Sequence, residues 1–186
     1  MAKNFTILVG TVGQGIMRSE DAGENWQRAG INSGLHSDAL VRTVVNHPQN
    51  PHKVFAGTEK GLYKSSNAGK DWELVDSILT NNCVWSLAID KSDPGTMYAG
   101  TGTPDPSSIF RSSDGGKTWE ERPVEVAKEC PAVGVPRVTG IAIDPDNRQD
   151  IWVGFEVDGV RRSTDGGDTW EKVATSIPNL DVHNVA

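Results

Sequence analysis

The chain has 186 residues and a net charge of −7, with 36% apolar and 23% charged residues. This composition is typical of a globular domain. Its acidic balance argues against nucleic acid or an anionic membrane as a main partner, because both are bound through basic patches. The first ten residues hold only a six-residue apolar-leaning run, neither a signal peptide nor a membrane span, so a cytoplasmic location is expected by default.

Short segments rich in β-branched and aromatic residues recur along the chain in groups of four, which we name A, B, C and D in chain order. Gly, Pro, Asn and Asp bound them, and no segment shows a sustained helical period. The first group begins directly at a B-type strand, and residues 181–186 match the opening of an A strand. The sequence thus predicts an all-β chain with units at 5–30 (plus 181–186), 39–76, 83–125 and 137–174.

An octet with the pattern Ser-x-Asp/Asn-x-Gly-x-x-Trp lies between the C and D strands of every group, with starts 46, 47 and 51 residues apart. The serine and the acidic or amide side chain can bond to N–H groups of a tight turn, and the glycine supplies positive φ. The tryptophan can cover the hairpin. Because the same residues recur in every repeat, we predict a shared structural role rather than catalysis or metal binding. The sixteen positions are Ser19, Asp21, Gly23, Trp26, Ser65, Asn67, Gly69, Trp72, Ser112, Asp114, Gly116, Trp119, Ser163, Asp165, Gly167 and Trp170.

These octets resemble Asp-boxes, also called bacterial neuraminidase repeats. That motif marks β-propellers such as sialidases, sortilin-type receptors, some glycoside hydrolases and photosystem assembly factors. The resemblance covers essentially the whole chain and implies a β-propeller of four-stranded antiparallel blades. It leaves the chemistry open, because these proteins share their turns and differ in function.

The order of the strands allows two arrangements of the blades. In one, residues 181–186 pair with the opening blade and close a four-blade ring. In the other, the chain is the N-terminal part of a larger ring. We favour the larger ring, because the last segment ends before the length of the other A strands and such repeats usually form six or more blades. Open edges on the first and last blades would then favour self-association.

The second position of the A strands changes from repeat to repeat while its neighbours stay apolar or small. It holds Arg42, Trp85, Thr139 and His183, which we predict to be ligand-binding residues on the loop face opposite the Asp-boxes. The alternative is that they are rim side chains without a common target. The longest loop, residues 123–136, is predicted to be a contact surface or a cover over a blade edge.

Glycoside hydrolysis would need two neighbouring carboxyl groups, for which Asp105 and Glu125 are the plausible pair. Glu59 and Glu156 occupy matching B–C loops but lie two repeats apart. The arginines that precede box serines recur with the repeat and do not form a sialidase-type cluster. Neither the histidines nor Cys83 and Cys130 have metal-ligand spacing, and no cofactor or metal is predicted. A disulfide between the two cysteines is geometrically conceivable.

The function expected first is a non-catalytic module that binds a protein or glycan partner through its loop face. The alternative is the N-terminal part of a sialidase-like or xyloglucanase-like glycoside hydrolase, with catalytic residues partly outside this chain. A third hypothesis is a self-assembling module in which two arcs complete a ring. The sequence leaves open whether the protein is an enzyme.

Overall fold

A computed structural model describes residues 5–173 and 177–186 and shows four antiparallel β-sheets that follow one another in chain order. The first sheet contains β1 (Ile7–Gly10), β2 (Ile16–Ser19) and β3 (Gln27–Ala29). The second contains β4 (Val41–His47), β5 (Asn50–Thr58), β6 (Gly61–Ser65) and β7 (Glu73–Leu74). The third contains β8 (Val84–Ile89), β9 (Met97–Thr101), β10 (Ile109–Ser112) and β11 (Glu120–Arg122). The fourth contains β12 (Val138–Ile143), β13 (Ile151–Phe155), β14 (Gly159–Ser163) and β15 (Glu171–Lys172).

Each sheet is a meander in which consecutive strands pair, and this confirms the predicted blades. The first sheet has three strands within the described residues, β1 to β3. A 3₁₀ helix, Ile31–Ser33, lies in the connection from the first to the second sheet. The strands of the later sheets lie within the ranges 39–76, 83–125 and 137–174, of which residue 174 is outside the described residues.

Apolar side chains form three core clusters, each between two successive sheets. The cluster between the second and third sheets is centred on residues such as Phe55, Leu62, Val84 and Met97, all essentially inaccessible to solvent. A single sheet cannot cover both of its apolar faces, so each blade depends on its neighbours for burial. The stability of the chain therefore resides mainly between blades.

Close approach between neighbouring blades depends on a glycine in the B strand. A Cβ added to Gly100 would lie 2.2 Å from Cγ1 of Val138, the first residue of the next A strand. The same contact joins four pairs of residues, Gly10 with Val41, Gly57 with Val84, Gly100 with Val138 and Gly154 with Val182. The glycine lets the next innermost strand lie directly against the B strand.

The fourth of these contacts shows where residues 181–186 lie. Val182 packs on Gly154 of the fourth sheet, as the first residue of an A strand packs on the blade before it. Thr139 Oγ1 also donates to the carbonyl of Val182 at 2.7 Å. The segment has no assigned strand, and no described pairing joins it to the first sheet. The segment thus lies on the fourth blade and is not paired with the first sheet in the described residues, and the four sheets form part of a propeller.

Candidate functional site

Three of the four residues predicted to bind a ligand occupy β-bulges at the start of the innermost strands. In the second sheet, Val41 is opposite Thr58 and Thr43 is opposite Gly57, so Arg42 is the extra residue. The same shift leaves Trp85 and Thr139 unpaired in the third and fourth sheets. Bulges redirect side chains and are common beside functional sites. We name Arg42, Trp85 and Thr139, with the residues that touch them, the bulge face.

The bulge face contains a stack of three planar side chains from three blades. The guanidinium carbon of Arg42 lies 4.2 Å from the ring centroid of Trp85, and that of Arg137 lies 4.7 Å from it. Both distances are within the range of cation–π attraction. Trp85 Nε1 donates to the carbonyl of Thr103 at 3.2 Å, which fixes the ring against the B–C loop. The stack therefore ties the second, third and fourth blades together at this face.

Arg137 extends the stack to a buried carboxylate. Its Nη1 lies 2.7 Å from Oε1 of Glu156, a residue that is only 7% exposed. The other oxygen, Oε2, is buried and has no hydrogen-bond partner among the described residues. A buried carboxylate that is only half satisfied is costly, so this oxygen is a candidate ligand position.

The fourth predicted residue, His183, lies next to this carboxylate. Ligand atoms of Glu156, Asp181 and His183 all lie within 4.8 Å of one another, the geometry of a potential metal site. The hydroxyl of Thr139, by contrast, is occupied within the protein, since it contacts the carbonyls of Gly154 and Val182. The structure thus connects His183 to the stack on Trp85 through Glu156 and Arg137, and gives Thr139 a role in holding the last segment.

A second carboxylate, Glu59, holds the start of the second blade. Its Oε1 lies 2.6 Å from Nε2 of His36, and its Oε2 accepts from the N–H of Leu40 at 2.8 Å. Burial opposes ionisation of Glu59, but the hydrogen bonds from His36 and Leu40 outweigh it and lower the pKa of the carboxyl. His36 Nδ1 in turn lies 3.1 Å from the hydroxyl of Tyr63. The three side chains form a connected polar network beside the bulge face.

The predicted catalytic pair, Asp105 and Glu125, has divergent surroundings. Asp105 Oδ2 accepts from the N–H of Cys83 at 2.6 Å, so it caps the third blade as Glu59 caps the second. The side chain of Glu125 is exposed and lines a cleft with Asp158 and other residues of the fourth sheet. No described hydrogen bond joins the two carboxylates. Cys83 and Cys130 are both free thiols, without the disulfide that seemed conceivable.

Loop 123–136 folds back on the fourth blade. The backbone N–H of Ala127 donates to Asp158 Oδ2 at 3.1 Å, and Arg161 Nε donates to the carbonyl of Glu125 at 3.1 Å. Asp158 also pairs with Arg161 and Lys172. Burial opposes ionisation of Asp158, but the bonds from Lys172 and Ala127 lower the pKa of its carboxyl overall. These contacts hold the loop against the edge of the blade.

The Asp-boxes bind themselves and lie on separate sheets. In the first box Ser19 Oγ donates to Asp21 at 2.8 Å and accepts from the N–H of Gly23 at 2.8 Å, while Trp26 Nε1 donates to the carbonyl of Gly23 at 3.0 Å. Hydrogen bonds from Asn25 and Ser19 lower the pKa of Asp21 to about 2. The other three boxes repeat the serine, glycine and tryptophan bonds. All four side chains at the acidic or amide position are engaged in their own turns.

Sequence reasoning did not select Arg137, Glu156 or His36 for the site. A usable signal was present, because Arg137 immediately precedes an A strand and Glu156 immediately follows a B strand. Residues at those two positions face each other across one hairpin end.

No helix in the described residues is long and apolar enough to cross a membrane.

Comparison with known proteins identifies the repeats. The family described as BNR/Asp-box repeat matches residues 110–121 and 161–172. The xyloglucanase Xgh74A of Acetivibrio thermocellus is 36% identical over 153 residues, covering 69% of this chain and 18% of that protein. A xyloglucanase of Hypocrea jecorina is 29% identical over 166 residues, covering 81% of this chain and 19% of its own length. The chain thus spans about a fifth of these relatives.

The crystal structure of an ancestral GH74 enzyme superposes with a TM-score of 0.77 at 24% identity, covering 92% of this chain and 22% of that one. At this identity the likeness shows the fold. Together with the four boxes and four sheets, it confirms the resemblance drawn from the sequence. The chain is an Asp-box repeat protein that forms part of a β-propeller.

Proposed function

We propose that this chain is a glycan-binding portion of a xyloglucanase-like glycoside hydrolase. The observation that carries the proposal is the 36% identity to Xgh74A over 69% of this chain. The relatives support this alternative better than the non-catalytic module expected first from the sequence. Since the chain spans about a fifth of these enzymes, hydrolysis is proposed for the whole protein to which such a propeller belongs.

The bulge face has the chemistry that binding a neutral glycan requires. Sugar hydroxyls need donors and acceptors held in place, next to planar surfaces that cover the ring. Arg42 offers guanidinium donors and has no described carboxylate partner, and its Nε is buried without a hydrogen bond. Glu59, held by His36, offers a fixed acceptor. The planar groups are the guanidinium groups of Arg42 and Arg137, which partly exposed Trp85 holds in place because both lie on its ring.

The carboxylates described for this chain are better placed to bind than to cleave. Hydrolysis with inversion or retention needs two carboxyl groups on either side of a glycosidic bond. Glu59 and Asp105 each accept a backbone N–H of their own blade, and Glu156 is paired with Arg137. We therefore propose that this chain contributes substrate binding and that the full catalytic pair is completed elsewhere in the whole protein.

This proposal changes the expected location. Xyloglucan is a polymer that does not cross membranes, so a protein that acts on it would work outside the cytoplasm. The cytoplasmic default expected from the sequence does not fit this function.

Binding is tested by native affinity electrophoresis in gels containing soluble xyloglucan, followed by calorimetry with xyloglucan oligosaccharides. We expect retardation of the wild-type chain and an affinity at least tenfold lower for Arg42→Ala, because about 1.5 kcal/mol or more is lost with a charged hydrogen-bond donor. Arg28→Ala is the matched control, since Arg28 is an exposed arginine on an outer strand. Absence of binding by the wild-type chain, or equal losses in both variants, would overturn the proposal.

A further inference from the structure

We propose that Glu156, Asp181 and His183 form a divalent metal site, selective for Zn²⁺-like ions, where the last segment meets the fourth blade. The three residues offer two carboxylate oxygens and one imidazole nitrogen within 4.8 Å of one another. A second observation points to a ligand here. Glu156 is only 7% exposed, and its Oε2 has no hydrogen-bond partner among the described residues. A bound cation would satisfy this oxygen.

The backbone of the last segment presents the two outer ligands together. Leu180 accepts from the N–H of Gly159 at 3.0 Å, and Val182 accepts from Thr139 at 2.7 Å, so the segment is anchored on both sides of Asp181. Val182 points toward Gly154. In an extended chain alternate side chains share a face, so Asp181 and His183 project together away from that contact.

The distance between the two outer ligand atoms suits a small ion with tetrahedral coordination. His183 Nε2 and Asp181 Oδ1 are 3.5 Å apart. Bonds of 2.0–2.1 Å at tetrahedral angles place two ligand atoms about 3.4 Å apart. Glu156 is the fixed ligand because it is buried, whereas the side chain of His183 is 75% exposed and can rotate toward it. A water would supply the fourth position, as in sites with three protein ligands.

The charges and ligand types select the metal. The two carboxylates and the guanidinium of Arg137 give the site a net negative charge. A bound divalent ion would reverse the sign of that charge. Arg137 holds Oε1 of Glu156 at 2.7 Å and so orients the carboxylate, as outer-shell partners of metal ligands do. An imidazole ligand favours Zn²⁺ and similar transition metals over Mg²⁺ and Ca²⁺, which prefer oxygen alone.

The site would couple metal binding to the docking of the last segment on the fourth blade. Two of its ligands lie in residues 181–186, and the third lies in the B–C loop of the fourth blade. A bound ion would pin the segment to the blade and, through Arg137, would stiffen the stack on Trp85. The proposal rests on the described geometry and does not depend on the glycan-binding function.

The test is calorimetric titration of the metal-free chain with Zn²⁺, and separately with Ca²⁺ and Mg²⁺. We expect one equivalent of Zn²⁺ to bind with an affinity at least tenfold above that for Ca²⁺, and a higher melting temperature with Zn²⁺. His183→Ala should weaken Zn²⁺ binding at least tenfold. Its side chain is exposed, so folding should be unaffected. His52→Ala removes another exposed histidine and serves as the matched control.

Glu156→Gln tests the buried ligand separately, with circular dichroism to verify the fold. It should also weaken binding at least tenfold, and imidazole resonances of His183 should shift on addition of Zn²⁺ to the wild-type chain. If Zn²⁺ binding is absent, or is equally strong in His183→Ala and in the His52→Ala control, the proposal is wrong. Loss of binding only in the control variant would also overturn it.

Discussion

The tryptophans of the Asp-boxes allow a direct test of stabilisation between blades. Trp119 lies in the core cluster between the second and third sheets and is 7% exposed, whereas Trp26 in the first box is 41% exposed. Both donate from Nε1 to the carbonyl of their own box glycine, at 3.1 and 3.0 Å. The two positions therefore share their local bond and differ in the blade that covers them. We expect Trp119→Ala to destabilise the chain more than Trp26→Ala.

The difference can be worked from the exposed fractions. A fully buried tryptophan removes about 250 Å² from water, so 41% against 7% exposure leaves roughly 85 Å² more buried at Trp119. At about 25 cal/mol per Å², this is about 2 kcal/mol. A buried tryptophan replaced by alanine costs about 3–5 kcal/mol in total. Trp26→Ala should then cost about 1–3 kcal/mol.

Urea denaturation followed by far-ultraviolet circular dichroism measures both variants against the wild-type chain. The comparison is valid if the m-value is unchanged, since a changed slope reports a different denatured or native state. If Trp119→Ala does not fold, Trp119→Phe and Trp26→Phe provide a milder pair. Equal losses of unfolding free energy at the two positions would refute this reasoning. They would mean that a box tryptophan stabilises only its own turn and that packing on the preceding blade adds no stability.

Three further predictions concern other features of the chain. Gly100→Ala should destabilise it by about 1–3 kcal/mol, because the added Cβ would lie 2.2 Å from Val138 Cγ1 and 2.4 Å from Val138 Cβ. An unchanged melting temperature would contradict the close-approach argument. Hydrogen bonds from the side chain and N–H of the threonine four residues later lower the pKa of Asp165 from 3.8 to about 2. Its stabilisation is therefore present above about pH 4 and lost as the pH falls toward 2, so Asp165→Asn should make unfolding free energy, measured between pH 2 and 5, fall less steeply. Cys130 should react with a thiol reagent faster than Cys83 in the native chain. Cys83 is buried, and its burial also raises the pKa of the thiol. Equal rates in the folded chain would contradict this prediction, because they would show that Cys83 is accessible.

The sequence by itself determined the blades. Each Asp-box is a contiguous octet whose hydrogen bonds run between residues two to four positions apart, as from Ser112 to Asp114 and to the N–H of Gly116. Such turn chemistry is local, so it can be read directly from residue types and spacing. The recurrence of the octet then fixed the number of hairpins and the antiparallel sheets around them.

The sequence also pointed to the A-strand position of Arg42 and Trp85. The residue at that position varies between repeats, whereas its neighbours stay apolar or small. The sequence could not show that the position is a β-bulge, since that depends on the pairing register with the B strand. The sequence placed Glu59 and Glu156 two repeats apart but did not predict their hydrogen-bond partners, His36 and Arg137.

The tertiary structure decided which side chains meet across blades. Arg42 and Arg137 reach the ring of Trp85 from residues 43 and 52 positions away, and Glu156 meets Asp181 and His183 through the packing of the last segment on the fourth blade. These contacts depend on how blades lie side by side, which the close approach of Gly154 and Val182 sets and the local pattern does not record. Turn chemistry specified each blade, and packing between blades specified the site.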